Sequence, residues 1–264
     1  MPVANLNQTE IFYTRTGALH LPALMFSNAL GTTSDMWQTQ IVRLNKYFQI
    51  IRYDTRGHGR SASPKGPYSL EMLGKDAVAL LDYLGIEQVN FCGISLGGLI
   101  GQWMGIHASQ RVARLLLANT AAKVGGTDAW LARAARARLD GLGSVADTAE
   151  RRWFTQGFLN TYPECADAMV ETLRGTNREG YASCCEALAH ADLTDDTKHI
   201  RCDTLIIAGA SDAVTTVEHA QALKQSIQRS AIKIINASHL SCVEQPQEFN
   251  TAIYDFFVGS LVEL

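Results

Sequence analysis

The sequence predicts an α/β protein, with a mostly parallel sheet, helices on both of its faces and a helical cap inserted after the sixth strand. Short apolar segments alternate with segments of helical periodicity before residue 120 and again after residue 200. The strand-like segments are continuous apolar runs, which is typical of parallel strands that are buried on both faces. Between these two parts lies a long stretch of helical character that contains no convincing strand.

Composition bounds the class of protein. The chain has 264 residues, of which 47% are hydrophobic and 19% are charged, so it can form one large core. Its net charge of −3 gives no sign of a nucleic-acid partner. No apolar stretch approaches the roughly 18 residues that cross a bilayer, and the N-terminus has no apolar signal core, so we expect a cytoplasmic protein without a membrane partner. The six cysteines lack zinc-binding spacing, and we expect free, mostly buried thiols. No particular oligomeric state is indicated.

The predicted strands and helices divide the chain into a core and a cap. Five of the six strands expected before the cap can be placed, at residues 10–15, as an edge strand, and at residues 23–27, 48–53, 89–92 and 112–118; the strands after the cap cover residues 204–208 and 231–235. The core helices cover residues 69–84, 96–108, 217–227 and 247–261, and Ser69 is expected to cap the first of them. The core is then residues 1–122 and 199–264, and the cap is residues 123–198. A cap over the carboxyl ends of parallel strands would enclose a pocket there.

Residues 93–97, Gly-Ile-Ser-Leu-Gly, match the pattern Gly-x-Ser-x-Gly. The pentapeptide alone is weak evidence, but here it follows an apolar strand and opens a helix, which is the setting of a nucleophile elbow. Such a turn would hold the hydroxyl of Ser95 at the end of the sheet, where the helix dipole favours negative charge. We therefore predict Ser95 as the nucleophile. The alternative is a tight turn that contains serine by chance.

A serine hydroxyl needs a general base, and we predict His239, because it follows the last strand in the order serine, acid, histidine. Asp212 lies at the carboxyl end of the preceding strand, where it can accept a hydrogen bond from His239 and fix its tautomer. Asp203 lies at the opposite end of that strand. Asp54 also ends a strand, but it precedes Ser95 in the chain and is the weaker candidate for the acid.

The tetrahedral intermediate of acyl transfer needs backbone amides that donate to its oxygen. One donor is expected at Leu96, directly after the nucleophile. The other is expected in the loop of residues 27–31, where Ala29 is the first choice and Leu30 the second, although this could be an ordinary loop. We interpret a second loop, residues 54–61, as structural, because its glycines and charged groups suit a tight hydrogen-bonded turn.

Five segments of the chain carry a family resemblance. They read SNALG (27–31), YDTRGHGRS (53–61), FCGISLGG (91–98), IIAGASDAVT (206–215) and ASHLSCVEQP (237–246). Together they resemble the α/β-hydrolase superfamily along nearly the whole chain, and most closely the bacterial 3-oxoadipate enol-lactonases. The second resemblance depends on Ser27-Asn28, where many relatives have His-Gly, on Met36-Trp37, and on Arg-Trp-Phe-Thr at residues 152–155.

The resemblance implies an α/β-hydrolase fold and hydrolysis of 3-oxoadipate enol-lactone, a small lactone that bears a carboxylate, without a metal or a cofactor. The substrate carboxylate needs a partner, and arginine can bind it through two parallel hydrogen bonds. Arg133 is the first choice, because it lies one helical turn from Trp130. Trp130 and Trp153 could form an apolar wall. The alternative is that the arginines lie on a solvated surface and the tryptophans only pack.

Other functions stay open at this point. A carboxylesterase or a carbon–carbon bond hydrolase would use the same catalytic triad of Ser95, His239 and Asp212 with a different cap pocket. A non-catalytic receptor could be built on the same scaffold, because function depends on the site and not on the fold. Epoxide hydrolases and dehalogenases of this fold need an aspartate at the elbow, whereas this chain has Ser95.

Overall fold

The computed structural model describes residues 2–259, and these form eight strands of one sheet. The strands are β1 (Val3–Leu6), β2 (Thr9–Thr16), β3 (Ala23–Ser27), β4 (Gln49–Tyr53), β5 (Val89–Ile94), β6 (Val112–Ala118), β7 (Asp203–Gly209) and β8 (Ser230–Ile235). Their order in the sheet is β1-β2-β4-β3-β5-β6-β7-β8. The pairs β1–β2 and β2–β4 are antiparallel, and the other neighbours are parallel.

Twelve α-helical segments accompany the sheet in the described part of the chain. Those of the core are α1 (Gln38–Leu44), α2 (Leu70–Tyr83), α3 (Leu96–His107), α10 (Val217–Ser226), α11 (Ser241–Glu244) and α12 (Pro246–Phe257). Those between β6 and β7 are α4 (Thr127–Asp140), α5 (Gly143–Ala146), α6 (Glu150–Trp153), α7 (Gln156–Thr161), α8 (Pro163–Arg174) and α9 (Arg178–His190). Ser69 caps α2 as predicted, since its hydroxyl accepts a hydrogen bond from the amide of Met72 at 3.1 Å.

Each face of the sheet has its own hydrophobic core, because side chains alternate between the two faces along a strand. In β3, Leu24 and Phe26 belong to one core, whereas Ala23 and Met25 belong to the other. The first core contains side chains of α1 and α12, and the second contains side chains of α2, α3 and α10. Helices therefore cover both faces, as the sequence predicts, and the fold class is confirmed.

One predicted detail is wrong. Residues 10–15 do not form an edge strand, because β1 pairs with β2 and occupies the edge. β1 was not predicted, since it has four residues and buries only Ala4 and Leu6. The short helices α1 and α11 were not predicted either. The last two residues of the predicted closing helix, 260 and 261, lie outside the described residues.

The helices α4 to α9 occupy residues 127–190, between β6 and β7. The longest of them, α4, packs along α9. We propose residues 123–198 as the limits of the cap. The first limit falls in the loop before α4, and the second in a 3-10 turn, Thr197–His199, shortly before β7.

No helix within residues 2–259 combines the length and the apolar character that crossing a membrane requires. All six cysteines are free, and four of them are buried.

Two glycines allow β5, β3 and α3 to approach closely around residue 95. A Cβ atom on Gly93 would lie 2.1 Å from the carbonyl oxygen of Gly97, and a Cβ atom on Gly97 would lie 2.2 Å from that of Ser27. The amide of Gly97 donates to the carbonyl oxygen of Asn28 at 2.9 Å. Because these contacts involve backbone on both sides, the first turn of α3 is fixed against the loop after β3.

Replacing Gly97 with alanine is expected to lower the free energy of unfolding by about 1–3 kcal/mol, because the new methyl group has no space against the Ser27 carbonyl. Gly157 in α7 is the matched control. Its added Cβ would lie 3.9 Å from the nearest atom, so Gly157→Ala is expected to stabilise by up to about 1 kcal/mol. Urea unfolding followed by circular dichroism measures both changes. Equal effects of the two substitutions would contradict this account of the packing.

Candidate active site

Ser95 joins β5 to α3 in a backbone conformation that residues with a side chain rarely adopt, with φ 55° and ψ −115°. Two hydrogen bonds hold the turn: the amide of Ser95 donates to the carbonyl oxygen of Ala118 at 3.0 Å, and the hydroxyl of Thr120 donates to the carbonyl oxygen of Ser95 at 2.9 Å. The Oγ atom of Ser95 lies 2.9 Å from Nε2 of His239.

His239 lies in the loop between β8 and α11, and Asp212 lies in the loop after β7. Nδ1 of His239 is 2.8 Å from Oδ2 of Asp212. Because an ionised carboxylate only accepts, Nδ1 carries the proton, and Nε2 is left to accept from the hydroxyl of Ser95. The structure thus brings Ser95, His239 and Asp212 into one hydrogen-bonded chain.

The carboxylate of Asp212 is fixed by five donors. Oδ1 accepts from the amides of Val214 and Thr215 at 2.8 and 3.0 Å. Oδ2 accepts from the Thr215 hydroxyl at 2.8 Å and from Nδ2 of Asn119 at 2.9 Å, in addition to His239. Burial raises the pKa of Asp212, but the hydrogen bonds, that of His239 above all, outweigh burial and lower the pKa to about 2. Asp212 is therefore ionised at neutral pH.

Asn119 was not predicted as part of the site. It directly follows β6, with φ 43°. Besides its bond to Asp212, Nδ2 donates to the carbonyl oxygen of Ser238 at 3.1 Å, and Oδ1 accepts from the Ser241 hydroxyl at 2.5 Å. Asn119 thus connects the acid to the loop that carries His239. Its position at the carboxyl end of a parallel strand is the signal that could have identified it.

Asp54, the weaker candidate for the acid, has other partners. Its Oδ1 accepts from the amide of Ser34 at 2.8 Å, and its Oδ2 accepts from the amide and Nε of Arg60 at 2.9 and 3.2 Å. These bonds tie the loop of residues 54–61 to the segment after β3. They fit the structural interpretation of this loop.

His58 connects the same loop to residues 27–31. Its Nε2 accepts from the amide of Gly31 at 2.9 Å, and its Nδ1 lies 3.3 Å from the carbonyl oxygen of Arg56, to which it donates. The residue is 1% exposed, and burial lowers the pKa of His58 to about 4. His58 is therefore neutral, as an accepting Nε2 requires.

The side chain of Asn28 holds the loop of residues 27–31 from the inside. Its Oδ1 accepts from Nε1 of Trp37, and its Nδ2 donates to the carbonyl oxygen of Tyr53, both at 2.8 Å. Within residues 2–259, the amides of Ala29 and Leu96, the two predicted donors, have no protein acceptor. Ala29 lies in the wall of the cavity beside Ser95.

A cavity of about 150 Å³ opens beside Ser95 and His239. The cap contributes Trp130 and Arg133 from α4, Arg152 and Trp153 from α6, and Tyr181 from α9. The three predicted cap residues, Trp130, Arg133 and Trp153, therefore all line the cavity. Arg152 and Tyr181 were not predicted as part of its wall.

Arg133 lies among aromatic rings. The carbon of its guanidinium is 5.3 Å from the ring centroid of Trp130 and 5.6 Å from that of Tyr181. Its Nε is buried and has no hydrogen-bond partner in the described part of the chain. Because buried donors are rarely left without a partner, this one needs an acceptor that the described chain does not supply.

Arg152 adds a second cation to the same cavity. It donates to the Thr148 hydroxyl at 2.5 Å and to the carbonyl oxygen of Val145 at 3.2 Å. Burial and the nearby Arg133 lower the pKa of Arg152. No aspartate or glutamate is among the described residues that line the cavity, so its wall carries an excess of positive charge.

Residues 2–259 contain no group of three or more histidine, cysteine or acidic side chains that could hold a metal ion.

Residues 22–158 match the family described as the alpha/beta hydrolase fold. The chain belongs to the α/β-hydrolase family. Among similar proteins, 3-oxoadipate enol-lactonase 2 of Acinetobacter baylyi is 48% identical over 96% of this chain and 97% of the relative. 3-oxoadipate enol-lactonase 1 of the same organism is 40% identical over 93% of this chain and 91% of the relative. The crystal structure of the enol-lactonase from Burkholderia xenovorans LB400 superimposes with a TM-score of 0.95 and is 39% identical, over 97% of this chain and 99% of that one.

The buried His58 of this α/β hydrolase is expected to make stability depend on pH. Its pKa is about 4 in the folded chain and 6.5 in a model peptide, so between these values the unfolded chain binds a proton that the folded chain does not. Stability should therefore fall as pH decreases from about 6.5 to about 4, by at most about 1.4 kcal/mol per pH unit from this group.

Urea unfolding between pH 7 and pH 4.5 tests this expectation. His58→Gln, which keeps an acceptor for the Gly31 amide, should have a flatter dependence on pH than the unchanged chain. His20→Gln, at an exposed position, should not alter the dependence. The same slope in all three proteins would contradict the assignment of a neutral, buried His58.

Proposed function

We propose that this chain hydrolyses 3-oxoadipate enol-lactone to 3-oxoadipate, in the breakdown of aromatic compounds by the β-ketoadipate pathway. The observation that carries the proposal is a serine–histidine–aspartate chain beside a small cavity whose described wall has two arginines and no acidic residue. A small lactone that bears a carboxylate suits both parts of the site. Similarity to enol-lactonases over almost the whole chain supports the same substrate.

In the first step, Oγ of Ser95 attacks the lactone carbonyl carbon while Nε2 of His239 accepts the hydroxyl proton. Asp212 stabilises the imidazolium through the hydrogen bond at Nδ1. The amides of Ala29 and Leu96 donate to the oxyanion, in keeping with their lack of a protein acceptor in the described chain.

The tetrahedral intermediate collapses when the bond between the acyl carbon and the ring oxygen breaks, and His239 gives its proton to that oxygen. An enol oxygen is a better leaving group than an alkoxide, and the freed enol tautomerises to a ketone. Water then gives a proton to His239 and attacks the acyl carbon. The bond between that carbon and Oγ of Ser95 breaks, His239 returns its proton to Oγ, and the second carboxylate of the product forms.

The substrate carboxylate is proposed to bind Arg133 and Arg152. Both side chains line the cavity, and the buried Nε of Arg133 is a donor without a partner in the described chain. Charge-assisted hydrogen bonds of this kind are roughly twice as strong as neutral ones. Trp130 and Trp153 are proposed to contact the apolar face of the ring.

The positive wall favours this substrate over those of the competing functions. A simple carboxylic ester or a neutral ketone has no carboxylate that two arginines could bind. A non-catalytic receptor would not need the close contacts of 2.9 and 2.8 Å that join Ser95, His239 and Asp212.

We propose the cytoplasm as the site of action, since its reducing conditions suit a chain whose six cysteines are free. The proposed reaction uses no cofactor.

Purified protein is expected to remove the absorbance of the enol-lactone, and to hydrolyse simple aryl esters much more slowly. Ser95→Ala should lower kcat by at least about 10³-fold while the fold is unchanged, because the covalent step is lost. Fast aryl ester hydrolysis without lactone hydrolysis would overturn the proposed substrate. Undiminished lactone turnover by Ser95→Ala would overturn the proposed mechanism.

Arg133→Met is expected to raise KM for the enol-lactone by roughly 10- to 100-fold, because a charge-assisted hydrogen bond to the substrate is lost. Its effect on a neutral aryl ester should be small. Arg136→Met is the matched control, since Arg136 lies on the same helix at an exposed position and should leave KM unchanged. Equal changes of KM for both substrates would show that Arg133 does not bind the carboxylate.

A further inference from the structure

A buried carboxylate, Glu244, lies at the end of α11 and has no part in the proposed reaction. Glu244 is only 6% exposed. No ion pair to Glu244 occurs within residues 2–259. Burying a carboxylate costs free energy unless hydrogen bonds replace those it made to water. The donors to Glu244 therefore show which segments its side chain holds together.

The donors to Glu244 come from two separate segments. Oε2 accepts from the amide of Ser238 at 2.8 Å, and Ser238 directly precedes His239. Oε1 accepts from the amide of Thr155 at 3.2 Å and also from the Thr155 hydroxyl. Thr155 lies two residues after Trp153, at the junction of α6 and α7. One carboxylate therefore joins the loop of the general base to the cap.

Two further hydrogen bonds join the same segments. The amide of Leu240 donates to the carbonyl oxygen of Trp153 at 3.0 Å, and the Ser238 hydroxyl donates to that of Arg152 at 3.3 Å. The residues on either side of His239 are thus bonded to the two cap residues of α6 that line the cavity. Arg133, on α4, has no described hydrogen bond to this loop.

We propose that Glu244 is a positioning residue that couples the position of Arg152 and Trp153 in the cap to the orientation of His239. The inference rests on the proposed function, because it assigns substrate contact to Arg152 and the base to His239. A carboxylate suits this place, since it can accept from all three donors at once. A glutamine would direct its NH2 group, itself a donor, at one of these three donors, and the segment that carries that donor would lose its hydrogen bond to residue 244.

Glu244→Gln is therefore expected to lower kcat/KM for the enol-lactone by roughly 10- to 100-fold, the effect of losing a hydrogen bond to a charged group. The diagnostic measurement is a pair of double-mutant cycles on kcat/KM. In one cycle Glu244→Gln is combined with Arg152→Met, and in the other with Arg133→Met. Both arginines line one cavity, but only Arg152 belongs to the segment that Glu244 holds.

The combined loss with Arg152→Met should be several-fold smaller than the product of the two single losses, whereas the losses with Arg133→Met should multiply. A purely structural role of Glu244 would act equally on both cycles. Multiplicative losses in both, or equal coupling in both, would overturn the proposal. Thr155→Val removes one hydroxyl and keeps the amide, so it tests the same pattern in a protein that should fold if Glu244→Gln does not.

The outcome for the unchanged enzyme separates this inference from the proposed function. If the unchanged enzyme does not hydrolyse the lactone, the proposed substrate fails, and the cycles are measured with an aryl ester that bears a carboxylate. If the lactone is hydrolysed but the two cycles agree with each other, only the role of Glu244 fails.

Discussion

The sharp turn at Ser95 depends on backbone packing that leaves no space for side chains. A residue held at φ 55° and ψ −115° costs roughly 1–3 kcal/mol and persists only where its surroundings determine it. Here Gly97 lies against the carbonyl oxygens of Ser27 and Asn28, so the first turn of α3 and the loop after β3 form one rigid unit. The same contact that exposes the serine hydroxyl therefore also sets the place of the loop that contains Ala29.

The sheet and the cap contribute different parts of the proposed chemistry. The carboxyl ends of β5, β7 and β8 carry Ser95, Asp212 and His239, and buried polar side chains such as Asn119 and His58 hold their loops. The cap brings two cations that have no acidic partner in the described wall of the cavity. Positive charge in a desolvated cavity favours an anionic substrate, and it favours an oxyanion more than it would in water.

Much of the fold and the whole hydrogen-bonded chain of Ser95, His239 and Asp212 followed from the sequence, because each of these residues lies shortly after an apolar parallel strand. β1 was not predicted, because a strand of four residues with two buried side chains has almost no periodic signal. Arg152 was not predicted in the cavity wall, although its neighbour Trp153 was, because α6 is a single turn, Glu150–Trp153, and gives no helical spacing that would place the arginine on the cavity side. Glu244 and Thr155 are 89 residues apart in the chain, and no local pattern indicates such a contact.

The covalent intermediate is the most direct test of the central claim. In a cyclic ester the leaving oxygen stays on the acyl group, so an acyl-enzyme from the enol-lactone carries the mass of the whole lactone. We expect acid quenching during turnover, followed by mass spectrometry of the intact protein and its peptides, to detect this adduct on the peptide that contains Ser95. An adduct on another residue, or turnover during which that peptide stays unmodified, would contradict the account.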